Sequence, residues 1–184
     1  YVAVCNAAET LLVHSGAAER FLPRIKEALE EKGVNICGCA RTQEIISVAA
    51  AREEDWQTEY LDHKLAIRVV NDLDGAIQHI NEYGSGHTDS IVTGSKGNAA
   101  RFMSLVDSGN VFWNCSTRFS DGFRYGFGAE VGISTNKIHA RGPVGLEGLV
   151  IYKYNVLGNG QLVAEYADKS KTFKHKPLKK EFPL

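Results

Sequence analysis

Four thiols, Cys5, Cys37, Cys39 and Cys115, are the side chains in this sequence best suited to covalent chemistry. A cysteine attacks as the thiolate, and a helix N-terminus or a nearby cation favours that form. Cys5-Asn6-Ala7-Ala8-Glu9 can make a short helical turn, with no charged residue within three positions of the sulfur. Cys115 competes with it, because Arg118 is close by in the same loop. Cys37 and Cys39 sit at a strand end with no activating group. Residue pattern alone divides the nucleophile about equally between Cys5 and Cys115, against the commoner outcome of an inert buried cysteine.

Other chemistries find less support. Cys37-Gly38-Cys39 has no second pair at zinc-site spacing, so no metal is expected. The dispersed cysteines do not make a disulfide framework. No Gly-x-Ser-x-Gly elbow supports a serine hydrolase. Gly94-Ser95-Lys96-Gly97 is a helix-start turn rather than a phosphate loop, and Gly126-Phe127-Gly128-Ala129-Glu130-Val131-Gly132 has the wrong spacing for a dinucleotide loop. His79 and His87 read as helix-surface and strand-entry residues.

The elements that must position these groups follow from periodicity. With 184 residues and a net charge of −1, the chain fits one core-bearing domain, or one and an appendage, without a nucleic-acid bias. No apolar run reaches the length of a bilayer span. The opening Tyr1 reads as the start of a piece of something longer. Leu11 to Val13, Val34 to Cys37, Leu65 to Val70, Ser90 to Thr93 and Val111 to Trp113 are strand-like. Between them lie a helix starting close to Pro23 and ending near Gly33, a helical stretch over 44–52, and helices over 73–83 and 98–106. Ser15-Gly16 reads as a break and 52–55 as a solvated connection. The alternation predicts an α/β fold with a mainly parallel sheet flanked by helices, and a ligand outside the strands' carboxyl ends.

Residues 1–113 thus form an α/β domain, followed by a glycine-rich loop over 114–148. Seven of the eighteen glycines lie between 122 and 148. An ordered loop of that length usually lines a site, and its aromatic residues argue against disorder. Asn159-Gly160 predicts a C-terminal β-hairpin arm over 149–167 that leans on another domain or subunit. A basic tail, 168–184, closes the chain.

Four runs resemble one family. Val70, Ala76-Ile77, His79-Ile80, Tyr83-Gly84-Ser85, His87-Thr88-Asp89 and Ile91 are similar to the signature of γ-glutamyl phosphate reductases, also called glutamate-5-semialdehyde dehydrogenases, of the aldehyde dehydrogenase superfamily. Cys5 to Val13, Ser116 to Gly122, and Phe127 to Thr135 with its continuation His139-Ala140-Arg141-Gly142-Pro143 resemble the same family. The wording Gly122 to Gly128 looks most like fungal members.

The resemblance implies an aldehyde dehydrogenase-like catalytic domain and makes Cys5 the catalytic thiol. The family usually has alanine at position 115, so Cys115 is a departure. Glu59 aligns with the superfamily glutamate that holds the nicotinamide ribose, and Leu61 with the residue packing on the nicotinamide. Asn6, Ser116, Thr117 and Arg118 are the expected substrate contacts. The cofactor implied is NADPH/NADP. Its N-terminal binding domain, with one side-chain donor of the oxyanion hole, lies outside this chain. The implied reaction reduces L-glutamate 5-phosphate to the 5-semialdehyde and phosphate through a cysteinyl thioester, a step of proline biosynthesis. The expected partners are that small-molecule substrate, the NADP-binding domain of the parent chain and further copies of the protein, without nucleic acid or membrane. The expected compartment is the cytoplasm, or mitochondria for a bifunctional animal-type parent. The isolated piece is expected to be inactive. The rival readings are another oxidoreductase of the superfamily and a catalytically silent oligomerisation module.

Overall fold

The computed structural model describes residues 1–137 and 140–177. The sequence readings on His139 and on the basic tail beyond residue 177 fall outside the described residues. Two compact units, Tyr1–Val150 and Ile151–Leu184, are taken separately.

The first unit opens with β1 (Thr10–His14), α1 (Ser15–Glu30), β2 (Asn35–Gly38), α2 (Ala40–Ile45) and β3 (Ala49–Ala50). A 3-10 turn over Glu53–Gln57 leads to β4 (Lys64–Val70), α3 (Leu73–Tyr83), β5 (Thr88–Ile91), α4 (Lys96–Leu105) and β6 (Asn110–Trp113). Every strand pair among these is parallel, as expected, but they form two sheets rather than one. The first has the order β1-β4-β2-β3 and the second is β5-β6.

The apolar run of β4 explains its central place. Successive side chains point to opposite faces, and a central parallel strand is covered on both. Leu65 and Ile67 join Val13, Ala18, Leu22 and Ile46 in one core, whereas Ala66 packs with Cys37 and Trp56 on the other side. Ile77, Phe102 and Val106 form a third cluster with Ile91 and Val111.

Several sequence expectations are corrected. Helix α1 begins at Ser15, so Ser15-Gly16 is a start and not a break; the His14 ring Nδ1 accepts the Gly16 N–H at 3.0 Å. Pro23 is mid-helix. Its missing donor is outweighed by an amphipathic face on which Ala18 and Leu22 are completely buried. The helix expected over 44–52 is α2, ending at Ile45, because Ile46 is already extended at φ −133.

The polar run 52–55 is not simply solvated. Asp55 is buried, accepting from Lys64 Nζ, the Tyr60 hydroxyl and the Arg52 N–H, each at 2.8 Å. The Lys64 hydrogen bond leads the causes that hold its carboxyl down at about 2.

His79 is also buried rather than on a helix surface. Trp56 meets its ring edge-on at 5.5 Å between centroids, Tyr83 lies at 4.8 Å, and Arg68 Nη1 is 3.0 Å from its Nδ1. Burial, then the Arg68 charge, lowers the imidazole to about 4. A histidine depressed in the folded state binds its proton first in the unfolded chain, so its contribution is intact above about 6.5 and lost as pH falls toward 4. Urea unfolding between about pH 7 and pH 4.5 is expected to show this loss, at most about 3 kcal/mol, and His79→Gln is expected to flatten it.

The segment 114–148 is more ordered than its glycine content indicates. It holds 3-10 turns at Thr117–Phe119 and Leu146–Leu149, and an antiparallel ribbon of β7 (Gly132–Ser134) and β8 (Gly142–Val144). In the second unit the only regular element among the described residues is the helical turn α5 (Ala164–Ala167). The hairpin expected over 149–167 is not formed in this chain. Ile151, Tyr152, Tyr154 and Val156 are at least 80% exposed, so no packed face supports a two-stranded pairing there. The described residues contain no helix long and apolar enough to cross a membrane.

Candidate functional site

Cys5 does not start a helix. It lies in a tight turn closed by the Ala7 N–H on the Val4 carbonyl at 2.9 Å, with its thiol exposed. Four residues after Cys5 the chain is drawn into the sheet, where the Glu9 carbonyl accepts from Ala66 N at 2.9 Å. The turn therefore stands at the amino ends of β1 and β4, which corrects the expectation of a site outside carboxyl ends alone. Only the segment after Trp113 approaches from a carboxyl end, that of β6.

Those two segments meet at Asn6. Its side chain is buried, with Nδ2 donating to the Ser120 carbonyl at 2.7 Å and Oδ1 accepting from Arg118 Nη1. Thr117 Oγ1 donates to the Asn6 carbonyl at 2.8 Å. These bonds span more than a hundred residues of sequence, so they fix tertiary position rather than local turn geometry. Ser116 does not join them: its hydroxyl accepts the Arg118 N–H at 3.2 Å and caps the 3-10 turn.

The start of this loop is set by Asn114. It adopts the left-handed region at φ 55, accepts from Thr93 N at 2.8 Å and donates to Thr93 O at 2.9 Å. Asparagine tolerates this conformation better than most residues. Arg124 braces the far side, donating to the Arg118 carbonyl at 2.8 Å and to Asp121 at 3.0 Å. Cys115 is held through its carbonyl, which accepts from Ser90 Oγ at 2.8 Å, and its exposed thiol is not tied to the Cys5 turn.

Glu59 and Leu61 flank Tyr60, whose hydroxyl is anchored on Asp55. Glu59 is exposed and its charge acts on Cys5. Leu61 is 56% exposed at φ 52, a left-handed conformation that costs a leucine of order 1–3 kcal/mol.

Three groups were not found from the sequence. Glu130 accepts the Gly122 N–H at 2.7 Å, and its charge acts on both Cys5 and His87. Gly122 permits this approach, since a Cβ there would lie 2.3 Å from the Ala129 carbonyl oxygen. Glu9 is pushed up to about 7, by burial first and then by Glu59. His87 is buried with Nε2 unpartnered, and burial lowers its imidazole. Spacing gave no signal for these. Only the return of 122–130 toward the turn links the Glu130 carboxylate to it, through Gly122 and the Ser120–Asn6 bond.

Burial raises the Cys5 thiol, followed by Glu130; Glu59 adds to this and Arg118 opposes it.

The fold places the chain in a recognisable class. An acetylating aldehyde dehydrogenase from Geobacillus thermoglucosidasius superposes with a TM-score of 0.54 at 16% identity, covering 86% of this chain and 46% of that one. The architecture is aldehyde dehydrogenase-like. No protein-family model matches the chain.

Over its full length the chain is 70% identical to the γ-glutamyl phosphate reductase of Acetivibrio thermocellus and 66% identical to that of Pelotomaculum thermopropionicum. The crystal structure of γ-glutamyl phosphate reductase from Thermotoga maritima matches with a TM-score of 0.84 at 52% identity, covering 87% of this chain and 39% of that one. The chain belongs to the γ-glutamyl phosphate reductase family. It spans 43% and 42% of the length of the first two relatives. Relatives matched at 54–70% identity are bacterial, which corrects the fungal leaning read from residues 122–128.

Proposed function

We propose that this chain is the nucleophile-bearing part of a γ-glutamyl phosphate reductase, which reduces L-glutamate 5-phosphate to the 5-semialdehyde in proline biosynthesis. The observation that carries the reading is the junction at Asn6, which ties the Cys5 turn to Thr117, Arg118 and Ser120.

The Cys5 thiolate attacks the γ-carbonyl carbon, the bond from that carbon to the phosphate oxygen breaks, and a γ-glutamyl thioester remains on the sulfur. Backbone N–H groups of the turn around Cys5 are the donors proposed for the developing oxyanion, each worth about 2.7–4 kcal/mol by analogy with other acyl-transfer sites. Arg118 carries the fork geometry suited to a carboxylate or phosphate. One arm is engaged by Asn6, and its remaining N–H groups have no side-chain acceptor among the described residues. Ser116 and Thr117 line the same loop. Glu59 and Leu61 would hold the nicotinamide ribose and ring. NADPH, when bound, supplies the hydride that takes the thioester to the aldehyde level. The remainder of its site, and one oxyanion donor, are assigned to a separate NADP-binding domain of the longer polypeptide, so residues 1–184 alone are proposed to be inactive.

The exposed strand-like residues from Ile151 to Val156 are proposed to pair only in a homo-oligomer, and the cytoplasm is the proposed compartment. The test of the reaction uses the full-length polypeptide with glutamate semialdehyde, phosphate and NADP. Turnover is expected to require phosphate. Faster oxidation of simple aldehydes without phosphate would instead assign the protein to another branch of the superfamily.

A further inference from the structure

Glu130 is a carboxylate without a counter-charge at the mouth of the site. Among the described residues it enters no ion pair. One oxygen is pinned by the Gly122 N–H at 2.7 Å, which fixes the group and leaves the second oxygen free. The residue remains exposed, as does Cys5. Two residues before Gly122, the Ser120 carbonyl takes the Asn6 amide at 2.7 Å, so Glu130 is linked to the Cys5 turn by two short bonds.

The neighbours do not neutralise it. The Arg118 guanidinium is turned onto Asn6. His87, whose buried Nε2 lacks a partner, is kept toward the neutral imidazole by burial, although Glu130 and Glu59 both pull the other way. The site thus presents one carboxylate outside any ion pair and one guanidinium with open N–H groups, both tied to the Cys5 turn, Arg118 directly through Asn6 and Glu130 through Gly122 and Ser120. That is the charge pattern of an α-amino acid read in reverse.

We propose that Glu130 binds the α-ammonium group of the substrate while Arg118 binds its α-carboxylate, so that the pair selects an amino acid over its des-amino analogue. This rests on the reductase reading and deepens it. It also gives binding a consequence for the nucleophile. An ammonium group seated on Glu130 cancels the charge that, after burial, does most to keep Cys5 protonated. The correct substrate therefore helps generate the thiolate that attacks it.

The experiment uses full-length protein and E130Q, which keeps an oxygen for the Gly122 N–H. Oxidation of glutamate semialdehyde and of 5-oxopentanoate, each with phosphate and NADP, gives the discrimination ratio. E130Q is expected to lose about 10- to 100-fold in kcat/KM on the amino substrate, the size of a charged hydrogen bond, with the des-amino compound changed less than about three-fold. Independently of turnover, the pH profile of Cys5 alkylation by iodoacetamide is expected to move to lower pH in E130Q, because a raising charge has gone. Equal losses on both substrates, or an unmoved alkylation profile, would overturn the clamp alone. A wild-type protein that turns over neither semialdehyde would overturn the reductase reading and the clamp with it.

Discussion

Replacement of Cys5 by serine in the full-length polypeptide is expected to lower kcat by about 10³-fold or more, because an alcohol is a weak nucleophile at its ordinary pKa. The same change at Cys115 is expected to stay within about two-fold. Cys115 contributes its carbonyl to Ser90, an interaction that serine preserves, and its thiol is exposed. Sequence pattern divided the nucleophile between these two cysteines; steady-state kinetics on the pair of variants separates them. Comparable losses at both positions would mean that the loop around Cys115 takes part in the chemistry, and the mechanism would have to be redrawn.

The second large effect is expected at Asn6. Asn6→Ala removes the donor to the Ser120 carbonyl and the acceptor for Arg118, while the bond from Thr117 to the Asn6 carbonyl survives. One neutral and one charge-assisted hydrogen bond are lost from a buried position, about 2–4 kcal/mol in all. Activity is expected to fall about 10²-fold as well, since displacing a reacting group by an ångström costs that much.

Asn6→Asp is the sharper variant. It retains an oxygen for Arg118 and creates an ion pair, yet it aims a second acceptor at the Ser120 carbonyl. The aspartate is therefore expected to be no more stable than the alanine, by urea unfolding at neutral pH. A clearly more stable aspartate would show that the Arg118 contact alone holds the junction.

How much of this was readable in the chain depends on the range of the interaction. β4 was legible because Leu65 to Val70 is apolar except at Arg68, which is what a strand buried on both faces requires. Helix α3 was legible from its apolar stripe, with Asp72 and Asp74 both possible caps; it is the Asp72 carboxylate that accepts the Gly75 N–H at 2.7 Å. Local rules failed where tertiary burial overrode them. Pro23 argued for a helix start, yet Leu22 and Ala18 bury completely on a helix already under way. The acidic run at 52–55 looked solvated, although Asp55 is the acceptor for three donors.

The site divides in the same way. Cys5, Asn6, Thr117 and Arg118 were expected site residues, and the structure brings their two segments together at Asn6. Ser116 was expected among them as a substrate contact, but its hydroxyl caps a turn. Glu130 was missed because nothing in the order of residues tells which carboxylate the fold returns to a distant turn. The hairpin over 149–167 was read from a strong turn dipeptide. A turn signal does not supply the apolar face that strands need before they pair.

The most direct measurement is interception of the acyl group. Full-length protein supplied with glutamate semialdehyde and NADP, with phosphate withheld, should stall after oxidation with the glutamyl group still attached. Acid quenching and peptide mass spectrometry are expected to find a hydroxylamine-labile glutamyl adduct on the peptide bearing Cys5. An adduct on Cys37, Cys39 or Cys115, or turnover with phosphate but no adduct without it, would contradict the assignment.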